Sequence, residues 1–333
     1  MKALKITGYG NPKENLDMQE VALPSIKENE VLIKIHAASV NPIDNILLSG
    51  AFDAVMPVQF PGPIGFDVAG TVIEKGAAVK NFNIGDKVYS RLSEAGAIAE
   101  YVASDSAIVA QKPTNISFEE AAGLPLVGLT AMHSLKNLGR IKAGDKVFIQ
   151  AGSGGVGTFA IQYAKSKGAY VATTTSTKNV EWIKSLGADL VIDYTKEDYT
   201  KFISGYDIVL MAFGDEHTLE VINSVNNVGK LIGLNGALDK DALDAWGVQG
   251  EQRAYLENAG KHVLEAAMEK GIDYRFTVHE LSAAQLDEIT QLVENKAIKP
   301  VVDKVFGLDD SIQALEYLAS GRAKGKVVIQ VQP

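Results

Sequence analysis

Four glycines fall between Gly152 and Gly157, in the run Gly-Ser-Gly-Gly-Val-Gly. Upstream, Lys146 to Gln150 reads KVFIQ, an apolar strand run. Downstream, Val156, Phe159, Ala160, Tyr163 and Ala164 mark one face of a helix. Gly168 then stands where a helix ends. Gly152, Gly154 and Gly157 fit G-x-G-x-x-G between strand and helix. The first allows a tight turn, the second lets backbone approach a pyrophosphate, and the third packs helix on strand. Ser153, Gly155 and Val156 complete the loop and open the helix, whose free N–H groups favour an anion. The expected chemistry is dinucleotide binding. A tight strand-to-helix connection that binds nothing is the alternative.

An NAD site places an acid about 20 residues further on, where it holds the ribose 2′-OH. Val171 to Lys178 contains no acid. Thr175, Ser176 and Lys178 offer hydroxyls and a positive charge, which suit a 2′-phosphate. Tyr194, after the third strand of this half, is expected beside the adenine ribose, and Phe213 where the fourth strand ends. NADP(H) is therefore expected over NAD(H).

The elements around these residues divide the chain. Up to about Leu124, short runs alternate with turns: Val31 to Ala38, Val68 to Glu74, Lys87 to Ser90 and Ile98 to Ala103. That pattern predicts a small barrel or sandwich. Ser117 with Glu120 is a helix-start signature. From about Leu126 strands and helices alternate, with strands at 147–150, 170–173, 190–193, 207–211 and 230–234, and helices at 155–167 and 179–186. Alternation of this length predicts an α/β parallel sheet covered on both faces. A helix after Ala259, an edge strand at Tyr274 to Val278 and two further helical runs follow. Lys326 to Val331 is a last strand able to rejoin the first domain. The expected division is 1–124, 125–279 and 280–333.

Length and composition bound the function. A chain of 333 residues favours two domains, and 46% hydrophobic with 22% charged residues suits a folded soluble protein. The net charge of -9 argues against nucleic acid and anionic membrane as partners. The absence of cysteine removes disulfides, thiolate nucleophiles and cysteine-held zinc. The N-terminus lacks a signal-peptide pattern and no stretch suits a membrane helix, so a cytoplasmic location is expected.

Beyond the glycine loop, Ser39-Val40-Asn41-Pro42-Ile43-Asp44, Gly65-Phe66-Asp67-Val68-Ala69-Gly70, Gly128-Leu129-Thr130 and Gly325-Lys326-Val327-Val328 occur in order along the whole chain. Together they resemble the medium-chain dehydrogenase/reductase superfamily, in its zinc-independent quinone oxidoreductase and enone reductase branch. The resemblance implies a GroES-like β-barrel catalytic domain, completed by the tail, and a doubly wound Rossmann domain between. It implies an active site in the cleft between them and a homodimer formed through Rossmann edge strands.

The zinc members of this superfamily carry cysteine, histidine and glutamate where this chain has Asn41, Phe66 and Asp67. Phenylalanine cannot ligate and asparagine is a poor zinc ligand, so no metal is expected. Hydride transfer from NADPH to a quinone or α,β-unsaturated carbonyl needs hydrogen-bond donors rather than a Lewis acid. The resemblance assigns Asn41 as a donor near nicotinamide and substrate, and Asp44 as loop orienter or proton relay. Thr130 matches a nicotinamide-contacting threonine, and Gly325 and Lys326 close over the cofactor.

Each position has a structural alternative. Asn41 before Pro42 is turn chemistry, Asp44 a helix cap, Thr130 a hydroxyl bonded to its own turn, and Asp67 a purely structural acid. Where some quinone oxidoreductases have a tyrosine after Ser49-Gly50-Ala51, this chain has Phe52, so that acid is excluded. His36, His133, His217, His262 and His279 show no metal spacing, with His36 expected in a strand and His217 in a loop. Two other functions stay open: an enoyl-thioester reductase of the same fold, and a non-catalytic NADPH-binding protein.

Overall fold

The computed structural model describes residues 1–53, 55–225 and 227–332. It contains two compact units. One comprises Met1–Leu129 together with the tail from Leu281, and the other Thr130–Glu280.

In the first unit the strand Glu30–Val40 is the organiser. It alternates side chains across a mixed sheet of seven strands among the described residues, antiparallel except where Val302–Gly307 runs parallel to Lys326–Gln330. Asp67–Lys75 pairs along most of its length, with register shifts at Leu32/Ile33 and Ile35/Ala37. Such irregularities bend a sheet and raise its twist. The strand Lys326–Gln330 joins its other end, Val327 opposite Val40. The tail strand thus belongs to the first unit. The inner faces bury Val31, Ile33, Val72 and Val88 in one cluster and Ile35, Ala38 and Val68 in another. A smaller sheet of Lys2–Ile6, Leu16–Glu20 and Gly62–Pro63 packs with Leu48, Leu315 and Ile329.

The expected strand Ile98 to Ala103 is displaced: the pairing strand is Tyr101–Asp105, and Ala99 makes only an isolated bridge to Ala3. Ser117 and Glu120 form the predicted capping box at the start of Phe118–Ala122.

The second unit holds six parallel strands. They are Lys146–Ile149, Tyr170–Thr175, Leu190–Asp193, Tyr206–Met211, Val228–Gly233 and Asp273–Phe276. Counted in chain order within this sheet, they lie 3-2-1-4-5-6. That is the doubly wound order, whose reversal point places ligands beyond the strands' carboxyl ends. The first strand buries Val147, Phe148 and Ile149 completely, as a central parallel strand must.

The helix Gly155–Ser166 follows, and Gly168 ends its run with φ +80°. The helix expected after Ala259 begins earlier and spans Gly250–Glu269. The edge strand lies at Asp273–Phe276 rather than 274–278. Among the described residues no helix is long and apolar enough to cross a membrane.

Candidate catalytic and cofactor sites

Asn41 ends the long strand and caps the helix Pro42–Ser49, with extended backbone at φ -131°. Pro42 suits the first helical position, and Asp44 sits in the first turn. The Asp44 Oδ2 accepts the Asn41 backbone N–H at 2.7 Å. Asp44 is therefore the helix cap that its sequence position allows. It is also fully buried, and its Oδ1 has no hydrogen-bond partner among the described residues. Burial pushes its carboxyl up to about 7, against the Asn41 N–H and the Lys326 charge, which pull it down.

Asp67 opens the neighbouring strand opposite Ser39. Its Oδ2 accepts the Asn41 Nδ2 at 2.9 Å and the Ser39 Oγ at 3.1 Å, while Oδ1 accepts the Leu126 N–H at 2.9 Å. Lys326 reaches the same point from the tail. Its Nζ donates to Asn41 Oδ1 at 2.5 Å and to the Val40 carbonyl at 3.1 Å, and lies 3.6 Å from Asp67 Oδ2. Burial lowers the Lys326 ammonium's pKa, and Asp67 and Asp44 oppose that shift.

Arg91, opposite Asp67 in the sheet register, stands 4.6 Å over the Phe66 ring and donates to the Leu92 carbonyl. Two carboxylates thus share a dry region with two cations, the arrangement that keeps buried charge tolerable.

This network fixes the Asn41 amide. A lysine only donates and a carboxylate only accepts, so Oδ1 must face Lys326 and Nδ2 must face Asp67. One Nδ2 hydrogen is committed to Asp67. Asn41 is only 1% exposed, so its amide is not presented to solvent. The structure brings Asn41, Asp44 and Lys326 together, and adds Asp67 as their hub. Gly325 places Lys326: its φ is +88°, and a Cβ there would lie 2.5 Å from the Val301 carbonyl oxygen.

In the second unit the glycine loop joins the strand Lys146–Ile149 to the helix Gly155–Ser166, and the left-handed residue of the tight turn expected at Gly152 is Ala151. A Cβ on Gly152 would lie 2.2 Å from Thr173 Oγ1, and one on Gly157 would lie 2.3 Å from the Ala151 carbonyl oxygen. A Cβ on Gly154 would meet only that oxygen, at 3.4 Å. Gly152 and Gly157 therefore serve close packing, while Gly154 leaves room above the loop. Ala151 holds the turn at φ 59°, and its N–H donates to Thr174 Oγ1 at 3.0 Å. The Thr158 N–H reaches the Gly154 carbonyl. Ser153, Gly155 and Val156 are half-buried at the start of this helix.

At the end of the second strand, Thr175 is 1% exposed and its Oγ1 has no partner among the described residues. Nor does the Oδ1 of buried Asn179. Buried polar atoms left this way mark a place for a ligand or water. Between them Ser176 is half-buried and Lys178 exposed, on the short turn Thr177–Asn179. Tyr194 is exposed, and its N–H donates to the Thr175 carbonyl at 3.1 Å. Phe213 is also exposed, with its N–H held by Gln150 Oε1 at 3.1 Å. Gln150, two residues before the loop, carries no motif in the sequence; a polar residue ending a buried strand is the signal for it.

Thr130 is buried, with its Oγ1 3.3 Å from His279 Nδ1 rather than bonded to its own turn. His36 is a strand residue, 3.1 Å from Thr71 Oγ1 and stacked on Phe118. His217 corrects an expectation: it belongs to the helix Asp215–Ser224, not to a loop.

Comparison with known proteins agrees with this architecture. Residues 27–114 match the alcohol dehydrogenase GroES-like domain, and residues 186–329 match the zinc-binding dehydrogenase family. The 2-methylene-furan-3-one reductase of Solanum lycopersicum is 35% identical, over 100% of this chain and 80% of its own. The chloroplastic NADPH-dependent alkenal/one oxidoreductase of Arabidopsis thaliana is 34% identical over the same shares. The structure of the quinone oxidoreductase from Coxiella burnetii superposes with a TM-score of 0.87 at 32% identity, covering 100% of this chain and 99% of that one.

Proposed function

The chain belongs to the medium-chain dehydrogenase/reductase superfamily, in the branch of quinone oxidoreductases and alkenal/one reductases, and from this we propose a metal-free NADPH-dependent reductase. It transfers hydride to quinones or α,β-unsaturated carbonyls. The observation that carries the cofactor reading is the acid-free end of the second strand beside the glycine loop. There half-buried Ser176 and exposed Lys178 offer a hydroxyl and a positive charge suited to a phosphate.

NADPH fits these residues and would supply the hydride. The loop 152–157 and its helix N-terminus would hold the pyrophosphate, Ser176 and Lys178 the 2′-phosphate, and Tyr194 the adenine ribose. Thr130 and Phe213 would border the nicotinamide.

The acceptor delocalises its own charge, so the protein has to orient it and offer a hydrogen bond. We assign the second Nδ2 hydrogen of Asn41, buried in this structure, to that bond, which requires it to be uncovered when the acceptor binds. Asp44 fixes the Asn41 backbone and, with a carboxyl near neutrality, can hold or release a proton. The metal-free reading is supported by Lys326: Asn41 Oδ1 and Asp67 Oδ2 already face its ammonium.

A homodimer is supported by the strand Asp273–Phe276, which pairs on one side only and leaves an open sheet edge. Light scattering on the eluted protein tests it. The absence of cysteine supports a reducing compartment such as the cytoplasm.

The functional test is initial-rate oxidation of NADPH and NADH with quinones, 2-alkenals and cyclic enones, for the native protein and Asn41→Ala. Turnover that favours NADPH and falls with the substitution supports the reading. NADPH binding without turnover on any acceptor contradicts it.

A further inference from the structure

The acid missing from the second strand stands one strand away. Asp193 ends the third strand, in parallel register with Thr175. Both of its carboxylate oxygens accept hydrogen bonds. Oδ2 accepts the Thr177 hydroxyl at 2.5 Å and lies 3.5 Å from Lys196 Nζ. Oδ1 accepts the Thr195 hydroxyl at 2.7 Å and the Thr195 N–H at 3.1 Å. The two threonine hydroxyls are 3.0 Å apart. The bonds from Thr177 and Thr195 hold this carboxyl down at about 2, so it stays charged.

A carboxylate offers about four lone-pair sites. Three hydrogen bonds and the nearby Lys196 ammonium engage those of Asp193, which is thereby turned away from the role of ribose acceptor. What it does instead is join two turns. The first, Thr177–Asn179, carries Lys178 and follows Ser176. The second follows Tyr194. Thr175, with its unpartnered hydroxyl, precedes the first turn, and its carbonyl accepts the Tyr194 N–H of the second.

We propose that Asp193 is a positioning residue for NADPH selectivity: it clips the Ser176–Lys178 turn to the Tyr194–Thr195 turn and keeps the 2′-phosphate subsite in shape. This rests on the NADPH reading above. Thr177 is the other half of the clip. Its hydroxyl points its proton at Asp193, so its contribution is to anchor the turn, and Lys178 and Ser176 remain the groups that meet phosphate.

The experiment is calorimetric titration of the intact protein with adenosine 2′,5′-bisphosphate and with 5′-AMP, which lacks the 2′-phosphate. Asp193→Asn and Thr177→Val should each weaken bisphosphate binding about tenfold, the cost of one charge-assisted hydrogen bond. Binding of 5′-AMP should change less than about twofold, because no phosphate-ordering contact of that ligand is touched. Thr177→Ser keeps the hydroxyl and should retain native selectivity.

Tighter or unchanged bisphosphate binding in Asp193→Asn would overturn the inference, since the acid would then act only by repulsion. Parallel losses for both ligands would overturn it too, as the signature of general unfolding of the region. A native protein that does not prefer the bisphosphate over 5′-AMP would overturn the NADPH reading itself, and this inference with it.

Discussion

The Lys326 ammonium and the Asn41 side-chain oxygen lie 2.5 Å apart in the interior of the first unit, although 285 positions separate them in sequence. The contact exists because the last strand pairs with the end of the long strand, Val327 opposite Val40. It places a cation between the amide of Asn41 and the carboxylate of Asp67, and it ties the tail to the segment proposed to do chemistry.

Removing that cation should be costly. Lys326→Met leaves Asp67 and Asp44 buried without their nearest positive charge, and breaking such a pair typically costs about 3–5 kcal/mol. Urea denaturation of the variant should show a loss of that order. The double variant Lys326→Met/Asp67→Asn should recover part of it, because the orphaned charge is gone. A single variant as stable as the native protein would mean that the network contributes nothing to the fold.

Asp44 makes stability depend on pH in an unusual direction. Its folded carboxyl titrates near 7, above the ordinary carboxylate range, because burial disfavours the charged form. Between the ordinary range and about pH 7 the folded state binds the proton that the unfolded state has lost. The Asp44 contribution to stability is therefore full at acid pH and lost as pH rises through that window. Its slope approaches about 1.4 kcal/mol per pH unit. The difference between native protein and Asp44→Asn in urea unfolding, measured from pH 5 to pH 8, should show this fall. A difference that is flat with pH would place the Asp44 proton elsewhere.

The glycine loop separates a packing glycine from a binding glycine. Gly157→Ala would force a Cβ to 2.3 Å from the Ala151 carbonyl oxygen and 2.8 Å from the Gly152 Cα, both backbone atoms. It should lower the unfolding temperature. Gly154→Ala meets one atom at 3.4 Å and should fold normally. It should still weaken NADPH binding by about tenfold or more, since the added methyl fills the approach to the pyrophosphate. Thermal unfolding and fluorescence titration of both variants distinguish the two roles.

The legible parts of this protein were those with local periodicity. The loop Gly152–Gly157 announces itself because a buried strand precedes it and a 3.6-residue apolar face follows it. Asn41 and Asp44 were legible as a cap because both lie within one turn. Asp67 is legible only as the position where zinc members of the superfamily carry glutamate. Its part as hub depends on sheet register, Ser39 opposite Asp67, which joins residues 28 positions apart and brings Asn41 within hydrogen-bond reach. Asp193 was overlooked for a similar reason. An acid was sought on the second strand, and the parallel pairing of Thr175 with Asp193 brings one from the third. The early start of Gly250–Glu269 was hidden by exposed Tyr255 and by Gly260, a residue that looks like a break. There a Cβ would come within 3.0 Å of the Ala237 Cβ, so the glycine serves close packing.

The central claim is that this chain uses NADPH to reduce quinones or α,β-unsaturated carbonyls. Its most direct test is the initial rate of reduced-nicotinamide oxidation, with NADPH and NADH in parallel, against a quinone, a 2-alkenal and a cyclic enone. Turnover with at least one acceptor, faster with NADPH and strongly reduced in Asn41→Ala, is the expected result. Tight NADPH binding with no oxidation on any acceptor, or equal rates with NADH, would contradict it.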